Sequence, residues 1–162
     1  MIFKYPDYFK ELAMDIGKAR SLISGNVYKE GTKKYRGDIE KQISARGIMG
    51  ELIVRHIFYE KKIPNRFNSI IDDKPNNRFV WDCRTENGKY DIKAVKEGGK
   101  FLMINKDAHD NEHKNSKITH YLFVRLLPDC SCSIIKINKK DVYTWEEYQA
   151  RYTKVYRKKI NE

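Results

Sequence analysis

The chain is poor in the features that mark several protein classes. No apolar run approaches the ~20 residues needed to cross a bilayer as a helix, so no membrane partner is expected. The opening stretch, "MIFKYPDYFKELAMDIGK", carries acids early and lacks an apolar segment followed by a small-residue cleavage site, which argues against a secretory leader. Cysteine is scarce: Cys83, Cys130 and Cys132 are an odd number without metal-ligand spacing. That pattern fits a reduced, cytoplasmic protein and excludes a disulfide framework or zinc module. Internal repeats and low-complexity blocks are absent. Acidic residues are outnumbered, 22 against 33 Lys and Arg, leaving a net charge of +11. Such an excess points to a polyanionic partner, most simply nucleic acid.

What is present fits one domain across residues 1–162, with a hydrophobic content of 40% that is sufficient for a core. Tyr8, Leu12, Ile16 and Ala19 or Ile23 recur at helical spacing, predicting a helix over 5–23. A Lys-rich loop with Gly25, Gly31 and Gly37 follows. Asp38 is placed to cap a second helix to about Lys62, with Ile39, Ile43, Ile48, Leu52, Ile53 and Ile57 as its apolar positions and Pro64 ending it. The period then changes. "RFNSII", "RFVWDCR", "KYDIKAV" and "KFLMIN" read as successive strands. "KDAHDNEHKNSK" reads as a polar loop or short helix, 119–127 and 132–137 as two further strands. Thr144 and Glu147 predict a capping box opening a basic C-terminal helix over 144–159. The order predicts an α+β fold, a mixed β-sheet flanked by helices.

The chemistry concentrates in residues 80–96, "VWDCRTENGKYDIKAVK". A two-residue turn at Asn87-Gly88 predicts a hairpin in which Asp82 faces Lys93 and Arg84 faces Asp91. One face then carries Trp81, Cys83, Tyr90, Ile92 and Ala94, ready for a core. The other gathers Asp82, Arg84, Asp91 and Lys93. Cross-strand ion pairs on a solvated face are the ordinary account of such a pattern. The chemical account is a hard-cation site: two carboxylates from adjacent strands suit Mg²⁺, or Mn²⁺ in its place. A lysine two residues along, on the same face, then lies beside the reacting water and phosphate.

This constellation resembles the PD-(D/E)xK nuclease superfamily: an acid on one strand, (D/E)-x-K on the next, and often a glutamate from the preceding helix. Asp82 matches the first acid and Asp91-Ile92-Lys93 the second element, with Asp72 or Asp73 as alternatives for the first. "GIMGELIVRHIF" supplies Glu51 after Gly47 and Gly50, whose lack of a side chain lets a sheet approach. Trp81 stands where the family name has proline. The resemblance covers roughly residues 38–127 and implies a restriction-endonuclease-like αβββαβ core. It further implies metal ligation by Asp82, Asp91 and Glu51 with the Ile92 carbonyl, water activation by Lys93, and a Mg²⁺-dependent endonuclease acting on DNA rather than RNA. The rival is a non-catalytic nucleic-acid-binding domain in which the hairpin charges pair and Glu51 forms an i,i+4 pair with Arg55.

Candidate phosphate contacts are the loop with Lys29, Lys33, Lys34 and Arg36, and the C-terminal Arg151, Lys154, Arg157, Lys158 and Lys159. His109 and His113 have i,i+4 spacing, but a third ligand and a His-Asn-His nuclease frame are missing, so a polar loop pair is expected. A homodimer suits double-strand cutting, though no stretch of sequence marks its interface.

Overall fold

The computed structural model describes residues 1–24, 38–68, 70, 81–115 and 118–160. A short strand β1 (Ile2–Lys4) precedes helices α1 (Phe9–Ser24) and α2 (Asp38–Glu60). β2 (Arg66–Phe67), β3 (Cys83–Thr85) and β4 (Gly88–Val95) follow, then β5 (Phe101–Asn105) and helix α3 (Lys106–Asn115). β6 (His120–Leu127) and β7 (Ser131–Asn138) form a hairpin, a 3₁₀ turn spans Lys139–Thr144, and β8 (Glu146–Gln149) and β9 (Lys154–Lys159) close the chain. Among the described residues, six strands form one mixed sheet in the order β1-β7-β6-β4-β3-β2, and β5-β9-β8 form a second. β6 runs parallel to β4 while its other neighbour, β7, is antiparallel. The fold is α+β. No helix among the described residues is long and apolar enough to cross a membrane.

The period-two alternation of β4 decides the architecture. Tyr90 and Ile92 turn to one face and join Ile48, Ile53 and Val54 of α2, Phe9 and Ala13 of α1, and Leu122 and Val124 of β6 in one core. Cys83, predicted for that face, is fully buried within it, and Trp81 is half-buried. The opposite face is covered over β6 and the C-terminal end of β4. Val95, Tyr121 and Phe123 form a second core with Leu102 and Ile104 of β5, Val142, Trp145 and Tyr156. β6 is thus covered on both sides, which accounts for its near-continuous apolar run. Gly50 brings α2 close to β4: a Cβ there would lie 3.2 Å from that of Ala94. Gly47, credited with the same role, has nothing within 4 Å of its equivalent position.

Several expectations are corrected. The basic C-terminal helix over 144–159 is a 3₁₀ turn followed by a β-hairpin. Thr144 closes the turn by donating its hydroxyl to the Asp141 carbonyl at 2.7 Å instead of capping a helix. Tyr148, Tyr152, Thr153, Val155 and Tyr156 favour strand, and β5 offers β9 an edge to pair with. "KFLMIN" is a strand, but of the second sheet, and among the described residues of "RFNSII" the strand is Arg66–Phe67. α1 buries Phe9, Ala13 and Ile16, leaving Tyr8 58% and Leu12 38% exposed, so its apolar stripe is rotated from the predicted one. α2 stops at Glu60, before Pro64, with Lys62 at φ 52° and the Ile63 N–H closing onto the Phe58 carbonyl.

The hairpin register also differs. Thr85 pairs with Gly88 and Cys83 with Tyr90, so the turn is Glu86-Asn87 rather than Asn87-Gly88. The Asn87 N–H bonds the Thr85 hydroxyl at 3.1 Å, a side-chain device that stabilises the turn locally. Gly88 serves another purpose: its φ of 146° and a Cβ that would fall 2.4 Å from the Thr119 hydroxyl leave room only for glycine. Pairs move by two residues relative to expectation, which preserves the faces but changes the partners. Arg84 now opposes Lys89, not Asp91.

Candidate active site

Asp82 lies in a bend immediately before β3, where the regular ladder ends. Its N–H still donates to the Tyr90 carbonyl at 2.8 Å. Its carboxylate, however, reaches across and accepts the Ile92 N–H at 2.6 Å. A side-chain oxygen thus occupies the place of a strand carbonyl, holding Asp82 beside the Asp91-Ile92-Lys93 segment. Asp91 is buried, with its carboxylate 2.6 Å from the Lys93 ammonium. Lys93 is half-exposed and, alternating with Ile92, points away from α2. Ile92 contributes its backbone N–H to this contact, which leaves its carbonyl, the expected metal ligand, uninvolved.

Glu51 projects from α2 and is held by Arg20 of α1 at 3.1 and 3.3 Å. The expected partner, Arg55, instead bonds the Asn68 carbonyl and stacks 4.3 Å over the Phe67 ring. Arg55 remains within electrostatic range of Glu51. Burial raises the Glu51 pKa, opposed by Arg20, while Asp91 adds to the rise. Asp82 is driven from 3.8 to about 7, first by burial and then by the negative charges of Asp91 and Glu51; the Ile92 N–H and Lys93 act against it.

Among the described residues, no three His, Cys, Asp or Glu side chains form a group arranged to hold a metal ion. Lys93 and Arg20 supply positive charge to Asp91 and Glu51 instead. Asp82 and Asp91 still fit a hard cation by donor chemistry: both are oxygen donors in a partly desolvated place whose mutual repulsion a cation would relieve.

The other predicted residues are dispersed. Lys29, Lys33, Lys34, Arg36, Asp72 and Asp73 lie outside the described residues, as does the His113 side chain. Arg151, Lys154, Lys158 and Lys159 are exposed on the β8–β9 hairpin. Arg157 is committed within the second sheet: it forms a two-point bond with Glu146 at 2.8 and 2.9 Å and stacks 3.6 Å over Tyr148. His109 is not a loop histidine. It is fully buried on α3, its Nδ1 2.7 Å from the Tyr121 hydroxyl, among the rings of Tyr143 and Tyr156.

Sequence reasoning missed three groups. Arg20 sits outside the span of the family resemblance. Lys106, gripped by Tyr156, Asp110 and Glu147 at 2.6, 3.1 and 3.1 Å, depends on the unpredicted β9 strand; the Lys106–Asp110 spacing of i,i+4 was its one visible signal. The third is Arg66, Arg84 and Lys89, aligned across β2, β3 and β4. Comparison of the chain with protein-family models and with curated proteins finds no match to either.

Proposed function

We propose that the protein is a metal-dependent nuclease hydrolysing phosphodiester bonds, with DNA as the preferred substrate. One observation carries the reading: the Asp82 carboxylate is drawn onto the Ile92 N–H, between Asp91 and Lys93, and its charge is disfavoured by burial and by its acidic neighbours. A cross-strand ion-pair face would have no need of a half-buried acid facing other acids. The element order supports the family resemblance. α2, β2, β3, β4, α3 and β6 follow one another, with β6 parallel to β4, an αβββαβ succession with β5 inserted in the crossover.

Asp82 and Asp91 would hold Mg²⁺, with Glu51 contributing charge from α2 and a direct ligand once released from Arg20. The bound ion would supply Lewis-acid charge to the phosphate and lower the pKa of a water. Lys93, already touching Asp91, positions the attacking water and balances the charge that develops on the phosphate oxygens. The α2 and β6 cores hold these groups rigidly, so the strand and not a loop sets their spacing.

The second reading, a nucleic-acid-binding domain without catalysis, has an observation in its favour: Lys93 already neutralises Asp91, and Arg20 already neutralises Glu51. Cleavage of plasmid, branched DNA, single-stranded DNA and RNA in Mg²⁺ separates them. The nuclease reading expects cutting by the native protein, a loss of at least 100-fold in Asp91→Asn and Lys93→Ala, and retained Mg²⁺ binding only in the latter. Tight binding with no cleavage of any substrate establishes the second reading instead.

A further inference from the structure

β2, β3 and β4 carry a line of cations that makes no ion pair with an acid among the described residues. Arg66 opposes Arg84, and Arg84 opposes Lys89, so the three occupy one row perpendicular to the strands. Directly opposed residues share a face, and Lys89, Asp91 and Lys93 alternate onto the same face of β4. The row therefore stands on the face of the candidate active site. Arg66 and Arg84 are exposed, and Lys89 is half-exposed. None of the three forms an ion pair with a described residue. Arg66 and Arg84 line an open groove of about 400 Å³ with Pro64, Asn65, Thr85 and Glu86. Glu86, on the hairpin turn, is exposed at its rim.

Like charges placed directly opposite one another on a sheet destabilise it. Two such pairs in succession are a cost that no ion pair with a described residue offsets. A polyanion laid along the row turns that cost into binding. We infer that Arg66, Arg84 and Lys89 form a phosphate track that leads the substrate's sugar–phosphate backbone to the Asp82–Asp91–Lys93 site. This inference rests on the nuclease reading for its destination, though not for the binding itself. The dimensions agree. Adjacent strands lie ~4.8 Å apart, so the row spans ~10 Å. Three cations at this spacing can meet about two to three successive phosphates of one strand. Its inner end, Lys89, is two residues from Asp91, ~7 Å along the strand, placing these phosphates immediately to one side of the bond to be cut. The track differs from the two basic segments singled out in the sequence.

The test measures binding of a fluorescein-labelled DNA duplex, with Ca²⁺ replacing Mg²⁺, across 50–200 mM salt. The native protein is compared with the triple variant Arg66→Gln, Arg84→Gln, Lys89→Gln, and with a charge-matched control at three exposed lysines assigned no binding role, Lys10→Gln, Lys96→Gln, Lys140→Gln. Each lost phosphate contact lowers the slope of log K against log salt by ~0.9, so the track variant should lose ~2–3 from its slope and the control less. Arg84→Gln alone should melt at or above the native temperature, since it removes only repulsion. An unchanged slope in the track variant, an equal fall in the control, no measurable binding by the native protein, or a marked drop in the Arg84→Gln melting temperature each overturns the track. Cleavage of the same duplex in Mg²⁺ is scored separately. A native protein that cuts while the track variant keeps its slope refutes the track and leaves the nuclease reading standing. A native protein that binds without cutting, with the slope lost in the track variant, refutes catalysis and upholds the track.

Discussion

Asp82→Asn is the sharpest single perturbation of the site. The native fold holds the Asp82 pKa at about 7, against 3.8 for the free side chain. An acid whose folded pKa is raised binds a proton in the native state that the unfolded chain has already released. Stability therefore falls as pH rises from about 4 to about 7, then levels off. At ~1.4 kcal/mol per pH unit, the ionised carboxylate costs the native state up to ~4 kcal/mol at pH 8. Asparagine removes the charge and keeps an oxygen acceptor for the Ile92 N–H, weakening that bond by ~1 kcal/mol. The expected net gain is ~2–3 kcal/mol at pH 8, a rise of roughly 4–12 °C in melting temperature for a chain of this size. At pH 4 the gain should vanish, because native Asp82 is then already protonated. Mg²⁺ should raise the melting temperature of the native protein at pH 8 and have little effect on the variant. Calorimetry at pH 4, 6 and 8 with and without Mg²⁺ reads all of this. Equal melting temperatures for the two proteins at every pH would refute the idea that Asp82 is a strained acid awaiting a cation. A loss of stability at pH 8 would show that its charge is paired and structural.

Arg20→Ala removes the cation that holds Glu51 at 3.1 Å and should lower the stability of the metal-free protein by ~1–3 kcal/mol, while Mg²⁺ binding measured by calorimetric titration strengthens. Unaltered Mg²⁺ affinity would take Glu51 out of the metal site. Gly88→Ala should destabilise the hairpin by more than ~1 kcal/mol, because the backbone at φ 146° and the Thr119 hydroxyl both exclude a Cβ. A urea melt within ~0.5 kcal/mol of the native protein's would mean that Gly88 does not fix the turn's position.

Local pattern carried much of this protein. The alternation of Cys83, Tyr90 and Ile92 against Asp82, Asp91 and Lys93 was legible because side chains on a strand change face at every residue, and faces survive a register shift of two. The same shift made the cross-strand partners illegible. Asn87-Gly88 is a strong turn signal, but Gly88 is demanded by its approach to Thr119, just before β6 and 31 residues away, and no local rule contains that contact. Apolar β6 and β7 announced themselves by composition. Residues 145–159 did not, since their aromatic spacing fits a helix, and only the free edge of β5 made a strand of them. Net charge raises the expectation of a polyanionic partner, yet the row of Arg66, Arg84 and Lys89 comes from three separate stretches and exists only once β2, β3 and β4 pair. Likewise the acidity of Asp82 depends on how deeply the sheet buries it and on its distance from Asp91 and Glu51, quantities set by α2 and β4 packing through Gly50 and Ala94. The sequence by itself determined which residue types share a face. Tertiary packing decided which of them meet, because burial and through-space charge act between segments that the chain order keeps apart.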